Sequence, residues 1–362
     1  MNFYFDLANL YYWPQYEPVF YELKKRGHQC KVAVHRRQDN AHLVDLFLNS
    51  VKDKSSFICF DGSHLGDFYA RLSCDWIIFG NDNFSEFSKL AEGTKTALLY
   101  HGIGVKACYY SPGLSHYDVR FTEGEFRQKQ LQEMYPNANF QCVGFAKLDP
   151  LFNPDYFNFK KLDITSLGLD KNKKTILYAP TFYPSSIERM PKNWPALLEQ
   201  YNIIIKPHFF TYSNPKYKKQ RNLIHSWQEY KNLYLAPPDE VSLLPYMDVA
   251  DLLMSEASSA LFEFAALNKP VLWFDFLHLR WSYRGPLKFR FEKRMDKTIL
   301  PYRDVALHVK TPKQLKQAVD GQLSDTGQFS ENRKRTSDEL IGQCDGSVSL
   351  RIVDYLEGFN RR

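Results

Sequence analysis

An α/β protein of two doubly wound domains is predicted from the order of apolar runs along this chain. Three observations lead there. Short apolar strands alternate with amphipathic stretches through the first half, the alternation lapses near residues 150–174 into Asn, Pro, Asp and Lys, and a second alternating series follows. The 362 residues, 44% hydrophobic and 24% charged, suffice for two cores.

In order, residues 1–6 read as the first strand, 14–26 as a helix closed by Gly27, and 30–35 as the second strand. Further strands are predicted over 56–60, 75–79, 96–100, 120–122 and 140–143, with helical stretches between most of them. Strands separated by helices run parallel. The second series places strands at 175–179, 203–206, 233–236, 252–254 and 271–274, with helices near 194–200, 221–230, 241–247 and 259–267. The predicted division is an N-terminal domain over 1–152, a second domain over 153–343, and a closing helix within 344–362 that packs back toward the first domain. Two Rossmann-like halves facing across a cleft bind ligands outside the carboxyl ends of their strands. Functional residues are therefore expected just after strands.

Aromatic residues make up 16% of the chain and are spread along it, as fillers of cores and of a cleft rather than as a motif. Six cysteines, at 30, 59, 74, 108, 142 and 344, form no C-x-x-C pair and are expected to be reduced. The N-terminus reaches Asp6 with no basic leader region, and no window approaches the roughly 18 apolar residues of a spanning helix. A cytoplasmic protein is expected. The net charge of +6 suits an anionic substrate, an anionic membrane edge or nucleic acid alike. Its densest basic stretch sets Arg280, Arg284, Lys288, Arg290, Lys293, Arg294 and Lys297 among Trp281, Tyr283, Phe289 and Phe291. This stretch reads either as a solvated loop with packed aromatics or as a contact for an anionic acceptor or lipid headgroups. No recognised nucleic-acid motif occurs, so no nucleic-acid partner is expected.

Three segments carry candidate chemistry. After the strand ending at Tyr100 comes His101-Gly102-Ile103-Gly104-Val105-Lys106, where the glycines let backbone N–H groups approach a ligand, although neither a dinucleotide fingerprint nor a P-loop is spelled. Lys206-Pro207-His208 follows the strand Ile203-Ile204-Ile205, and the proline fixes the direction in which His208 leaves the sheet. Taken singly, each histidine reads equally well as structural. The third segment runs from Ser255-Glu256-Ala257-Ser258-Ser259 into an apolar helix ending before Lys269-Pro270. Ser258 is expected to cap that helix, whose free N–H groups and dipole would suit a diphosphate, and Glu263 either holds ribose hydroxyls or lies on the helix surface.

These blocks, together with Val143-Gly144-Phe145-Ala146-Lys147-Leu148-Asp149, Tyr178-Ala179-Pro180-Thr181 and a terminal Asp345-Gly346-Ser347, stand in one order. In that order they resemble the CDP-glycerol glycerophosphotransferase family of teichoic-acid and capsule enzymes, from about residue 95 onward. The resemblance implies a GT-B fold with the nucleotide held mainly by the second domain. It also implies catalytic roles for His101 and His208, and a donor-diphosphate site at Ser258 and Ser259. The chain departs from the family pattern at Ile103-Gly104-Val105-Lys106, where Thr-Pro-Leu-Lys is common, and at Glu256-Ala257, where Asp-Tyr is common.

The implied reaction moves a polyol phosphate from CDP-glycerol, or a related CDP-polyol, to a hydroxyl of a glycan or lipid-linked acceptor, with release of CMP. In that scheme His101 is the base, His208 supports the departing phosphate, Glu263 holds the ribose, and Gly102, Gly104, Lys106 and Lys206 attend acceptor or phosphate. No Asp-x-Asp occurs and no metal is demanded; Mg²⁺ would enter through the donor phosphates. Peripheral membrane contact would use Arg280, Arg284, Lys288, Arg290, Lys293 and Arg294. The alternatives are a GT-B glycosyltransferase using a nucleotide sugar and a non-catalytic module that binds anionic polymer or membrane.

Overall fold

The computed structural model describes residues 1–61, 65–82, 90–104, 106–293 and 295–359; Arg294 lies outside the described residues. The chain divides into two compact units. Met1–Gly102, Tyr109–Phe159 and the chain from Asp338 onward form the first, and Ile103–Cys108 with Lys160–Ser337 form the second.

The first unit is built on seven parallel strands: β1 (Asn2–Leu7), β2 (Gln29–Arg36), β3 (Phe57–Asp61), β4 (Trp76–Phe79), β5 (Lys95–Leu99), β6 (Val119–Thr122) and β7 (Phe140–Cys142). Their order is β3-β2-β1-β4-β5-β6-β7. The register sets Phe5 beside Val32 and Ile78, and Leu98 beside Phe79 and Arg120. Trp76 through Phe79 are all fully buried, as a central strand covered on both faces requires.

The second unit holds six parallel strands: β8 (Thr175–Tyr178), β9 (Asn202–Ile205), β10 (Leu233–Leu235), β11 (Leu252–Ser255), β12 (Val271–Phe274) and β13 (Leu307–Val309). They are ordered β10-β9-β8-β11-β12-β13, so the winding direction reverses between β8 and β11 as it does between β1 and β4. Ile176, Ile203, Ile205, Met254, Phe274, Trp194 and Trp227 form much of its core. Crevices at such reversals are where this kind of sheet receives ligands.

Four elements differ from expectation. β13 was not foreseen, because three residues centred on half-buried His308 give no strand-length apolar pattern. The helix expected over 194–200 is a 3-10 turn, Trp194–Leu198, because Pro195 offers no N–H and the chain must enter β9 at Asn202. The helix expected over 221–230 runs Lys218–Ser226 and gives way to a tighter turn at Trp227–Glu229. The helix expected over 241–247 runs Leu244–Val249, opening next to Pro245 in its first turn.

The helix Val348–Gly358 belongs to the first unit. Asp149 holds its start by accepting from the N–H groups of Val348 (3.0 Å) and Ser349 (2.7 Å) and from the Ser349 hydroxyl (2.7 Å). Gly144 has a φ of +100°, and a Cβ there would lie 2.8 Å from Val348 Cγ2. Glycine is therefore required where this helix comes closest.

Candidate active site

In the first unit, the loops leaving β1, β4 and β5 gather around His101. Its Nδ1 lies 2.7 Å from the Gly80 carbonyl oxygen, just past β4. A carbonyl only accepts, so Nδ1 carries the hydrogen and Nε2 of the neutral ring is the acceptor. Tyr12 stacks on the imidazole at 4.4 Å and 19°, Tyr100 at 4.9 Å and 22°, and Tyr11 meets it edge-on at 5.1 Å. A Cβ at residue 80 would stand 2.6 Å from Tyr16 Oη and 2.7 Å from Tyr12 Cδ2, so this packing needs glycine.

Behind that packing, the Tyr16 hydroxyl donates to the Asp6 carbonyl (3.0 Å). The fully buried Asp6 carboxylate accepts from Tyr69 (2.9 Å) and pairs with His35 Nε2 (2.5 Å). Burial pushes the Tyr11, Tyr12 and Tyr16 hydroxyls upward, which keeps them phenols. The Gly102 carbonyl accepts from the buried Tyr109 hydroxyl.

In the second unit the loops after β8, β9 and β11 come together. His208 caps the short helix Phe209–Ser213, its Nδ1 accepting from the Phe210 N–H at 3.1 Å, while its backbone N–H donates to the Pro180 carbonyl at 3.1 Å. With Nδ1 accepting, the ring hydrogen sits on Nε2, and this imidazole presents a donor. The Phe182 ring packs on His208 at 4.7 Å, and Lys106 Nζ lies 5.7 Å over the same ring. Lys106 and His208 are thus brought to one aromatic side chain, which the sequence reading missed. Gly104 is buried in this unit, and Lys206 is half-buried.

Glu256 joins the ends of β8 and β11. It is buried and accepts from the Thr181 N–H (2.7 Å), the Ser186 N–H (2.6 Å) and the Ser186 hydroxyl. Burial raises its carboxyl above the ordinary range against the pull of these donors. Ser258 sits at the helix N-cap position with extended backbone, yet its side chain does not cap. Ser255 Oγ gives its hydrogen to the Ala179 carbonyl (2.6 Å) and therefore accepts from Ser258 Oγ (3.1 Å), which corrects the capping expectation. Ser259 opens the helix Ser259–Ala265. Glu263 is fully buried, which sets aside the reading of it as a surface helix residue.

Two of the motif blocks are structural. Lys269 Nζ donates to the carbonyls of Met247 (3.1 Å), Asp248 (2.6 Å) and Ala250 (2.9 Å), closing the end of the helix Leu244–Val249. Asp149 anchors the C-terminal helix. Among the described residues, no group of three or more His, Cys, Asp or Glu is placed to hold a metal ion.

Two parallel-sheet units of this winding are the architecture of the GT-B class of fold. The wall teichoic acid polymerase TagF, solved after soaking with CDPG, shares it with a TM-score of 0.70 at 13% identity, covering 100% of this chain and 89% of that one. UDP-GlcNAc 2-epimerase from Neisseria meningitidis, bound to UDP-GlcNAc, does so at 0.64 and 16% identity, covering 99% and 100%. Residues 110–358 match the model of the CDP-Glycerol:Poly(glycerophosphate) glycerophosphotransferase family, and the chain belongs to that family. His101, Gly102, Gly104 and Lys106 precede the matched span.

The teichoic acid glycerol-phosphate primase of Bacillus subtilis is 30% identical over 183 residues, 43% of this chain and 45% of the primase. The teichoic acid poly(ribitol-phosphate) polymerase of Bacillus spizizenii is 23% identical over 268 residues, 67% of this chain and 41% of the polymerase. These matches span less than half the length of each curated relative.

Proposed function

We propose that this protein transfers glycerol phosphate, or a related polyol phosphate, from CDP-glycerol to a hydroxyl of a teichoic-acid, capsule or other surface-polymer precursor on the cytoplasmic side of the membrane. The acceptor oxygen forms a bond to the distal phosphorus, the bond from that phosphorus to the CMP oxygen breaks, and CMP leaves as an anion. His101 Nε2 takes the acceptor proton, while His208 Nε2–H donates to the charge growing on the departing oxygen. The start of the helix Ser259–Ala265, with Ser258 and Ser259, seats the diphosphate, and Glu263 serves the ribose. Lys106 and Lys206 attract acceptor or phosphate. No cofactor is needed, and Mg²⁺ would act on the donor phosphates.

The observation that supports this best is the opposite hydrogen-bond state of the two imidazoles, one left as acceptor by Gly80 and one left as donor by Phe210. The test is CMP or UDP release from CDP-glycerol, CDP-ribitol and nucleotide sugars, with and without a defined acceptor. Acceptor-dependent CMP release from a CDP-polyol is expected, and His101→Ala and His208→Ala should each lower it by about a hundredfold or more. Turnover of nucleotide sugars alone would establish instead the second reading, a glycosyltransferase, which the shared fold of the UDP-GlcNAc epimerase keeps in view.

A further inference from the structure

Glu256 has no part in the scheme above, yet it stands where the loops of the second unit are tied together. It is 1% exposed and lies between β11 and the helix Ser259–Ala265. A buried carboxylate is costly unless its oxygens are satisfied, and here each of them is. One accepts from the Thr181 N–H at 2.7 Å, the other from the Ser186 N–H at 2.6 Å and from the Ser186 hydroxyl. With its hydrogen given to Glu256, Ser186 Oγ accepts from the buried Tyr178 hydroxyl at 2.6 Å, so the chain of bonds runs back into β8.

The two residues that Glu256 grips bracket the loop after β8, and that loop touches His208 twice. The Pro180 carbonyl accepts its backbone N–H at 3.1 Å, and the Phe182 ring packs on its imidazole at 4.7 Å. Gln220 Nε2 donates to the Phe182 carbonyl at 2.9 Å, a second contact that pins the same turn. The hydrogen bonds of Glu256 thus lead to the loop against His208, whereas the Ser258 hydroxyl is engaged by Ser255.

We propose that Glu256 is a positioning residue for His208: by holding Thr181 and Ser186 it keeps Pro180 and Phe182 in place, and with them the ring orientation in which Nδ1 accepts and Nε2–H is left to donate. This role rests on the reading of His208 as the donor to the departing phosphate. A glutamine at 256 is nearly isosteric but turns one acceptor oxygen into an NH2 group that would face a backbone N–H, so the loop must shift.

The test joins kinetics with ring-nitrogen NMR spectra of the full chain carrying labelled histidines, for the wild type, Glu256→Gln, Ser186→Ala, His208→Ala and the Glu256→Gln, His208→Ala double variant. His208→Ala identifies the His208 signals, which should show the Nε2–H tautomer in the wild type and an averaged or broadened pattern in Glu256→Gln. Ser186→Ala removes one hydroxyl and leaves both N–H groups, so it should move the signals in the same direction by less, and it serves in place of a Glu256→Gln chain that fails to fold. Acceptor-dependent CMP release by Glu256→Gln should fall at least about tenfold in kcat at unchanged donor KM, and by less than about twofold further when the change is added to His208→Ala. Unaltered His208 signals in both variants would overturn the proposal, as would a loss that multiplies in full with that of His208→Ala, or a raised donor KM at constant kcat. A wild type without CMP release would count against the transfer reaction, and the His208 signals would then decide the positioning role alone.

Discussion

Two imidazoles of identical chemistry are left in opposite hydrogen-bonding states by the groups their Nδ1 atoms meet. Behind His101 stands a carbonyl, and behind His208 a backbone N–H. The substitutions that preserve function should therefore differ. A glutamine at 208 keeps a donor, so His208→Gln is expected to retain roughly tenfold more turnover than His208→Ala, whereas at His101 glutamine and alanine should be equally poor. Equal loss for both variants at 208 would mean that a proton moves from that ring. Gly80→Ala tests the support rather than the ring. Its Cβ would press on Tyr12 and Tyr16, an overpacking that costs about 1–3 kcal/mol, and would shift the carbonyl that orients His101. A fall in kcat at constant donor KM, alongside a lowered Tm, is expected; an unchanged kcat would separate Gly80 from the site.

At the scale of elements, Asp149 holds the start of the C-terminal helix. Asp149→Ala removes three accepted hydrogen bonds at a buried site and should cost about 2–4 kcal/mol in denaturant unfolding, with early hydrogen exchange in Val348–Gly358. Burial pushes this carboxyl up to about 6 from 3.8. The folded protein therefore holds the proton more tightly than the unfolded chain. The resulting stabilisation is fully present below 3.8 and is lost as pH rises through 6. Asp149→Asn should flatten that part of the stability profile between pH 4 and 6; an unaltered slope there would assign the change to other groups, with Glu256 the first to examine.

The same scale shows what could be read from residues. Twelve of the thirteen strands were legible because strands buried on both faces are written as continuous apolar runs, while β13, with His308 at its centre, was not. Both histidines stood just after apolar strands, where ligands of such sheets are expected. The bond that orients each was hidden. Gly80 reaches His101 from another strand end, Phe210 turns back on His208 from two residues on, and Ser258 gives its hydroxyl hydrogen to Ser255 instead of capping the helix. The one local signal for Gly80 was its place at the end of the buried run Trp76–Phe79.

At the scale of the whole molecule, the division of the chain gives His101 to the first unit and His208 to the second, each held by its own unit's backbone. The proposed reaction asks both to act in one phosphoryl transfer, and kinetics can examine that without reference to distance. If they contributed independently to one transition state, losses of about a hundredfold each would multiply to about ten-thousandfold in the double variant. Groups acting as a unit lose most of the benefit with the first removal, so the His101→Ala, His208→Ala double variant is expected to fall well short of that product. Single-turnover CMP release, with circular dichroism to show that both units remain folded, supplies the measurement. A full product of the two effects would show that the histidines contribute independently, against their acting as a unit.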